Sequence, residues 1–296
     1  MDIRHEPTGR GDRARIHISG LERDLRILHL TDSHMTEVDD RDPEAVPYSQ
    51  SRGPGLFFKH TPNGESTREV FDRTLSEARE LGVDAGVLTG DIIDFPAWAG
   101  IEHVELGMKA LGAPTLFTPG IHDWHFQHLA WSDAVRQEYY PRLHRLTGGT
   151  PACQSMELGG VRLIALDNST YQISLEQLTF LRRELATGQP CLLFIHIPIW
   201  IESLAPAVLR SWGAPIMMAS PHGWTAEKRE HWQVVGSAPS TLATYELLMR
   251  GESKNLAGIF CGHVHFEHTD AYREERVQYV SEAGFSGGYR IIDLLK

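Results

Sequence analysis

Gly86-Val87-Leu88-Thr89-Gly90-Asp91-Ile92-Ile93-Asp94 is a short apolar run that ends on a glycine and two acids. A run of this length, with a β-branched residue and turn chemistry at its end, reads as a strand buried on both faces. The same grammar recurs on either side. Arg26-Ile27-Leu28-His29-Leu30 runs into Thr31-Asp32-Ser33-His34, and Thr115-Leu116-Phe117-Thr118 runs into Pro119-Gly120-Ile121-His122-Asp123. Val161–Leu166 ends at Asp167, Cys191–Ile195 at His196, and Leu256–Cys261 at Gly262-His263-Val264-His265.

Amphipathic stretches separate these runs. Ser66-Thr67-Arg68-Glu69 is a capping-box start for a helix that gathers Val70, Phe71, Thr74, Leu75 and Ala78 on one face. Ser174-Leu175-Glu176-Gln177 is a second such start, followed by Leu178, Leu181 and Leu185. Residues 240–250 read as a third helix, stopped by Gly251. Strand–helix alternation predicts an α/β fold with helices covering the sheet faces. At 296 residues the chain is long enough for one large domain or two small ones. With no linker or repeat in view, it is read as a single domain over 1–296. Two segments interrupt the rhythm. Residues 36–65 are rich in Asp, Pro, Ser and Gly, and 197–239 carry four tryptophans and two histidines. Both follow strand ends that deliver Asp or His, so they are expected to act as lids or substrate walls.

The balance of charge is acidic, with a formal net charge of -11. That makes nucleic acid an unlikely partner, since such binding needs Lys and Arg concentrated on one face. The N-terminus is charged and lacks the apolar core of a secretory signal. No apolar stretch approaches the roughly 20 residues needed to span a bilayer. Three cysteines, Cys153, Cys191 and Cys261, are widely spaced and form no CxxC pair, which suits free thiols in a reducing compartment. These features read as a cytoplasmic protein.

The chemistry lies in the histidines and aspartates at the strand ends. Ligands at the carboxyl ends of strands converge on one crevice in open α/β sheets. Alternate residues of an extended segment point the same way, so Asp32-x-His34 and His263-x-His265 are each expected to aim two side chains at one place. Mixed carboxylate and imidazole donors suit Mn, Fe or Zn, and the absence of a cysteine motif excludes a Cys-rich structural zinc site.

Together, Asp32-x-His34, Gly90-Asp91-x-x-Asp94, Gly120-Ile121-His122-Asp123, His196 and Gly262-His263-x-His265 resemble the calcineurin-like metallophosphoesterase superfamily, in order and over residues 32–265. The resemblance implies a four-layer α/β/β/α sandwich of two mixed sheets flanked by helices. It implies one or two divalent metal ions per chain. Asp32, His34 and His265 would hold the first, Asp91 would bridge, and His196 and His263 would bind the second. His122 would be the catalytic general acid, with Asp123 orienting it. The activity implied is hydrolysis of a phosphate ester, mono- or diester, by a metal-bound hydroxide, on a small phosphorylated substrate.

One position departs from the pattern. The superfamily places a metal-binding asparagine before the catalytic histidine, and here that residue is Ile121, which has no donor atom. The second site is therefore expected to be weaker, filled by excess metal or with substrate. His125, His60 and Asn63 are the candidate replacement ligands. Asp94 is expected to hydrogen-bond a ligand histidine or cap its loop rather than ligate. His29 reads as a core residue, His128, His144 and His268 as surface, and Asp167-Asn168 as structural, while His222 and His231 are placed where they could face substrate. Two alternatives stand beside the main reading: a cyclic-nucleotide or other nucleotide phosphodiesterase, and a non-catalytic metal-binding scaffold for protein interaction. The motifs specify no substrate, physiological metal or oligomeric state.

Overall fold

The computed structural model describes residues 1–251, 254–273 and 276–296. Its strands are, in chain order, β1 (Ile3–Glu6), β2 (Arg13–Ile18), β3 (Leu25–Leu30), β4 (Ala85–Thr89), β5 (Thr115–Thr118), β6 (Cys153–Leu158), β7 (Val161–Leu166), β8 (Cys191–Phe194), β9 (Leu256–Cys261), β10 (His268–Arg273), β11 (Arg276–Val280) and β12 (Arg290–Leu295). The helices are α1 (Val46–Arg52), α2 (Thr67–Glu80), α3 (Trp98–Ala110), α4 (Asp133–Tyr139), α5 (His144–Thr147), α6 (Leu175–Leu185), α7 (Ala205–Trp212), α8 (Ala226–His231) and α9 (Pro239–Met249).

The strands form two mixed sheets, ordered β1-β2-β12-β3-β4-β5 and β10-β11-β9-β8-β7-β6. At the centre of the first, β3, β4 and β5 run parallel, in the register Leu28–Gly86 and Val87–Leu116. At the centre of the second, β7, β8, β9 and β11 run parallel. The sheets pack face to face. Ile16, Ile27 and Val87 of one meet Leu163, Leu192 and Phe260 of the other in a continuous apolar layer.

Helices cover the outer faces. Phe71, Leu75 and Ala78 of α2, with Ile101 and Val104 of α3, bury against Leu28, Leu30 and Leu88. Leu178 and Leu181 of α6, Val208 of α7 and Leu248 of α9 bury against Ile164, Leu193 and Ile259. The result is the four-layer α/β/β/α sandwich of two mixed sheets. The central strands β4, β8 and β9 are almost wholly apolar because neither face reaches water: every one of their residues is buried. The capping boxes at Ser66 and Ser174 are both formed and start α2 and α6.

The two interrupting segments are built mainly of short helices. The first holds α1 and three 3-10 turns, and the second holds α7 and α8. Among the described residues no helix is long and apolar enough to cross a membrane.

Candidate metal centre

The loops that leave β3, β4, β5, β8 and β9 meet at one edge of the sandwich. Those after β3 and β4 are joined by backbone bonds from Asp32 N to Gly90 O at 3.0 Å and from His34 N to Asp91 O at 2.9 Å. The loop after β9 joins the one after β8 through Gly262 N and His196 O at 2.9 Å. Two glycines permit this density. A Cβ on Gly120 would overlap the Asp91 carboxylate, and one on Gly262 would overlap the Asp32 carboxylate and the Thr31 side chain.

Convergence of the side chains has a different cause from the extended alternation expected. Asp32, His34, Asp91, His263 and His265 all sit at positive φ, between 46° and 70°. The loops after β3, β4 and β9 kink into the left-handed region at their chemically active residues, which no β-strand geometry requires. Non-glycine residues held there are strained and persist where the surroundings over-determine them.

Three groups of donors result. The ligand atoms of Asp32, His34 and His265 lie within 4.8 Å of one another, and so do those of Asp91, His196 and His263, and those of His34, Asp94 and His122. In the first group His34 Nε2 and His265 Nε2 face each other at 3.3 Å. Asp32 Oδ2 accepts hydrogen bonds from Thr31 and from the His263 backbone, whereas the buried Oδ1 accepts none. It lies 3.3 Å from His265 Nε2. Burial works against charge on Asp32, but His265 and His196 hold its carboxyl well below the usual range. A carboxylate oxygen without a hydrogen bond, opposite two imidazole nitrogens, is the donor set a divalent cation fits.

The far nitrogens of these histidines are already engaged, which fixes where the lone pairs point. His34 Nδ1 bonds Asp94 Oδ1 at 2.9 Å, leaving Nε2 for the cluster. His196 Nδ1 donates to Thr89 O at 2.8 Å, and its Nε2 lies 3.1 Å from Asp91 Oδ2. Burial opposes a charged His196, yet Asp91 and Asp32 outweigh it and push this imidazole up to about 10. His263 goes the other way, down to about 3, through burial and repulsion by His196.

Asp94 stands behind the first group. It bonds His34, Arg52 of α1 and Gln127. Burial is overcome by His122, His34 and Arg52, and its carboxyl falls to about 2. Arg52 therefore ties the 36–65 segment to a ligand histidine through one carboxylate. His122, three-quarters buried, lines the same cavity. Its Nδ1 is 3.2 Å from Asp94 O, and its backbone N–H donates to Asp91 Oδ1 at 2.8 Å.

Asp123 does not orient His122. Its buried carboxylate accepts from the backbone N–H groups of Asp91, Ile92, Ile93 and Gly120 at 2.7–3.1 Å. The side chain turns back under the loops after β4 and β5 because four buried amides would otherwise have no acceptor. Burial and the charge of Asp91 push its carboxyl up to about 8 against the pull of those amides.

The proposed substitutes for the missing asparagine are mostly placed elsewhere. His125 bonds Leu129 O, Asn63 is exposed in a turn, and His60 is exposed at the cavity rim. Beside the second group stands Tyr171 instead, whose hydroxyl is 2.8 Å from His263 Nε2. Tyr171 is buried and has φ of 62°. Asn168, read as structural, holds the His196 loop: its Oδ1 accepts from His196 N and Ile197 N, and its Nδ2 donates to Ile197 O. Neither Tyr171 nor Arg52 lies in a motif. A tyrosine and an arginine in segments that follow strand ends were the only signals. His222 and His231 are exposed and do not line the cavity, while His29 is buried between Ser281 and Thr89.

Residues 25–267 match the model of the calcineurin-like phosphoesterase family. The chain belongs to that family. It is a metallophosphoesterase, a hydrolase of phosphoric esters. Among solved structures, a dimetal phosphatase from Danio rerio shares the fold with a TM-score of 0.57 at 11% identity, covering 92% of this chain and 93% of the other. A purple acid phosphatase from yellow lupin (Lupinus luteus) gives a TM-score of 0.51 at 13% identity, covering 93% of this chain and 47% of the other. A sequence search of curated proteins gave no match.

Proposed function

We propose that this metallophosphoesterase hydrolyses a small phosphate ester with divalent cations that Asp32, His34 and His265, and Asp91, His196 and His263, would hold. The mixed imidazole and carboxylate donors favour Mn, Fe or Zn. The observation that carries the reading is the buried Asp32 Oδ1, which accepts no hydrogen bond and faces two imidazole nitrogens across a gap. When bound, such cations clamp phosphoryl oxygens and lower the pKa of water.

The chain's own residues do the rest. Asp94 and Thr89 O hold the coordinating histidines in one tautomer. His122, anchored at Nδ1 by Asp94 O, presents Nε2 as the proton donor to the departing alkoxide. That role is typically worth about 10²–10⁴-fold. His122→Ala should therefore lose about that factor on alkyl phosphates and far less on 4-nitrophenyl phosphate, whose leaving group needs no proton. Equal losses on both would remove His122 from the acid role.

Turnover of 4-nitrophenyl phosphate and bis(4-nitrophenyl) phosphate with Mn²⁺, Zn²⁺, Fe²⁺ or chelator tests the whole. Hydrolysis abolished by chelator and restored by cation is expected. Hydrolysis that survives complete metal removal would overturn the reading.

A further inference from the structure

The cavity over the first two donor groups has a volume of about 500 Å³, within the range of small-molecule sites. Apart from the donor residues and His122, its walls are Leu56, Phe57, Phe285, Trp212 and Trp232, with Arg52 and the exposed His60 as the polar exceptions. The rings begin at the ligand histidines themselves. Phe57 stacks on His34 at 4.6 Å between centroids, and Phe285 lies 5.1 Å from Phe57. Phe285 and Trp212 each meet His265 edge to face at 5.2 Å. Trp232 stands at 81° to Trp212, 5.6 Å away.

Two polar side chains of these walls are engaged elsewhere. Trp212 Nε1 donates to Val264 O at 2.9 Å, which fixes the indole beside the His263–His265 loop. Arg52 bonds Asp94 and lies 5.1 Å over the Phe57 ring. A polyol or sugar alcohol entering here would meet mostly ring carbon, and a hydroxyl buried against it without a partner is penalised. A flat apolar group would meet rings set at steep angles to one another. Aromatic pairs in that edge-to-face arrangement are favourable beyond the area they bury. Leu56 is 42% exposed at the rim, apolar surface that such a group would cover.

We propose that the alcohol side of the substrate is aromatic, seated against Phe57 and Phe285 on one side of His265 and against Trp212 and Trp232 on the other. The proposal rests on the hydrolase reading above and names the leaving-group class of that site. Segments 36–65 and 197–239, which supply Phe57, Trp212 and Trp232, thereby act as substrate walls beside Phe285 from the loop before β12.

The experiment compares 2-naphthylmethyl, n-propyl, n-decyl and glycerol phosphates with the full chain and Mn²⁺. All four release alkyl alcohols, so kcat/KM ratios report recognition more than leaving-group chemistry. The naphthylmethyl ester should exceed the propyl ester by at least about ten-fold, and exceed the decyl and glycerol esters. Trp232→Ser and Leu56→Ser should each reduce the naphthylmethyl-to-propyl ratio several-fold. Calorimetric binding of the matching phosphonates, which cannot turn over, should give the same order. Equal kcat/KM across the esters, or a preference for decyl or glycerol phosphate, would overturn the aromatic assignment and leave the hydrolase reading intact. If no ester is hydrolysed with any cation, the hydrolase reading fails, and the phosphonate order still decides the aromatic one.

Discussion

Asp123→Ala removes the acceptor for four buried N–H groups, those of Asp91, Ile92, Ile93 and Gly120, at 2.7–3.1 Å. Asp123 is fully buried. Each donor left unsatisfied costs about 1–3 kcal/mol, so the ceiling is about 4–12 kcal/mol. Water entering the vacated space recovers part of this, and a loss of about 4–6 kcal/mol is expected. A loss of that size is comparable to the whole stability of many domains, about 5–15 kcal/mol. Asp123→Asn is the measurable variant. Its amide oxygen can accept from two of the four donors, so about half the loss should remain. The assay is urea unfolding of chelator-treated proteins, followed by tryptophan fluorescence, beside pH–rate profiles of the loaded proteins. Asp123→Asn should unfold at clearly lower urea, while the dependence of rate on leaving group conferred by His122 persists. An unchanged unfolding midpoint, together with loss of that dependence, would refute the backbone role and restore Asp123 as the partner of His122.

Three further outcomes follow from the geometry. Ile121→Asn supplies an oxygen donor where the superfamily pattern has one, and should tighten the second cation at least about ten-fold, read by metal titration, a gain comparable to a single supporting contact at other metal sites; equal stoichiometry and affinity in both proteins would show that position 121 is not the weakness. Tyr171→Phe keeps the ring but deletes the hydroxyl 2.8 Å from His263 Nε2; the second cation should weaken about 10–100-fold with the first unaffected, and no change in titration would leave the tyrosine a packing residue. Asp91 and Asp32 push the metal-free His196 imidazole up to about 10 against its burial, so at neutral pH an incoming cation is expected to displace its proton. Affinity at that site should rise about ten-fold per pH unit and level off above about 10, and calorimetry in buffers of different ionisation enthalpy should find about one proton released. No proton release near pH 7 would contradict it.

The parallel strands were legible because burial on both faces writes them as unbroken apolar runs, as in Cys191–Phe194 and Leu256–Cys261. Two inner strands of the first sheet, β2 and β12, hid because they carry charged residues. In β2, Arg13, Arg15 and His17 alternate with Ala14, Ile16 and Ile18, a half-buried pattern without a long apolar run. β12 contains Arg290 and Asp293, which are buried only because Val280 O and Arg26 receive them from distant parts of the chain. The donor residues were legible because each adjoins a strand end. Their left-handed backbone was not, since nothing in Asp-Ser-His marks a positive φ. Asp123 was misplaced because adjacency to His122 in sequence says nothing about which way a carboxylate turns when four amides lie beneath it. Tyr171 reaches the centre from a loop and Arg52 from the last residue of the short α1, where only tertiary contact gives a residue its partner.

Crystals grown with Mn²⁺ and measured at the manganese absorption edge address the central claim most directly. Two anomalous peaks are predicted. One should lie at bonding distance, about 2.0–2.2 Å, from Asp32, His34 and His265, and the other from Asp91, His196 and His263. Anomalous density bound by other residues, or none at either group in saturating cation, would contradict it.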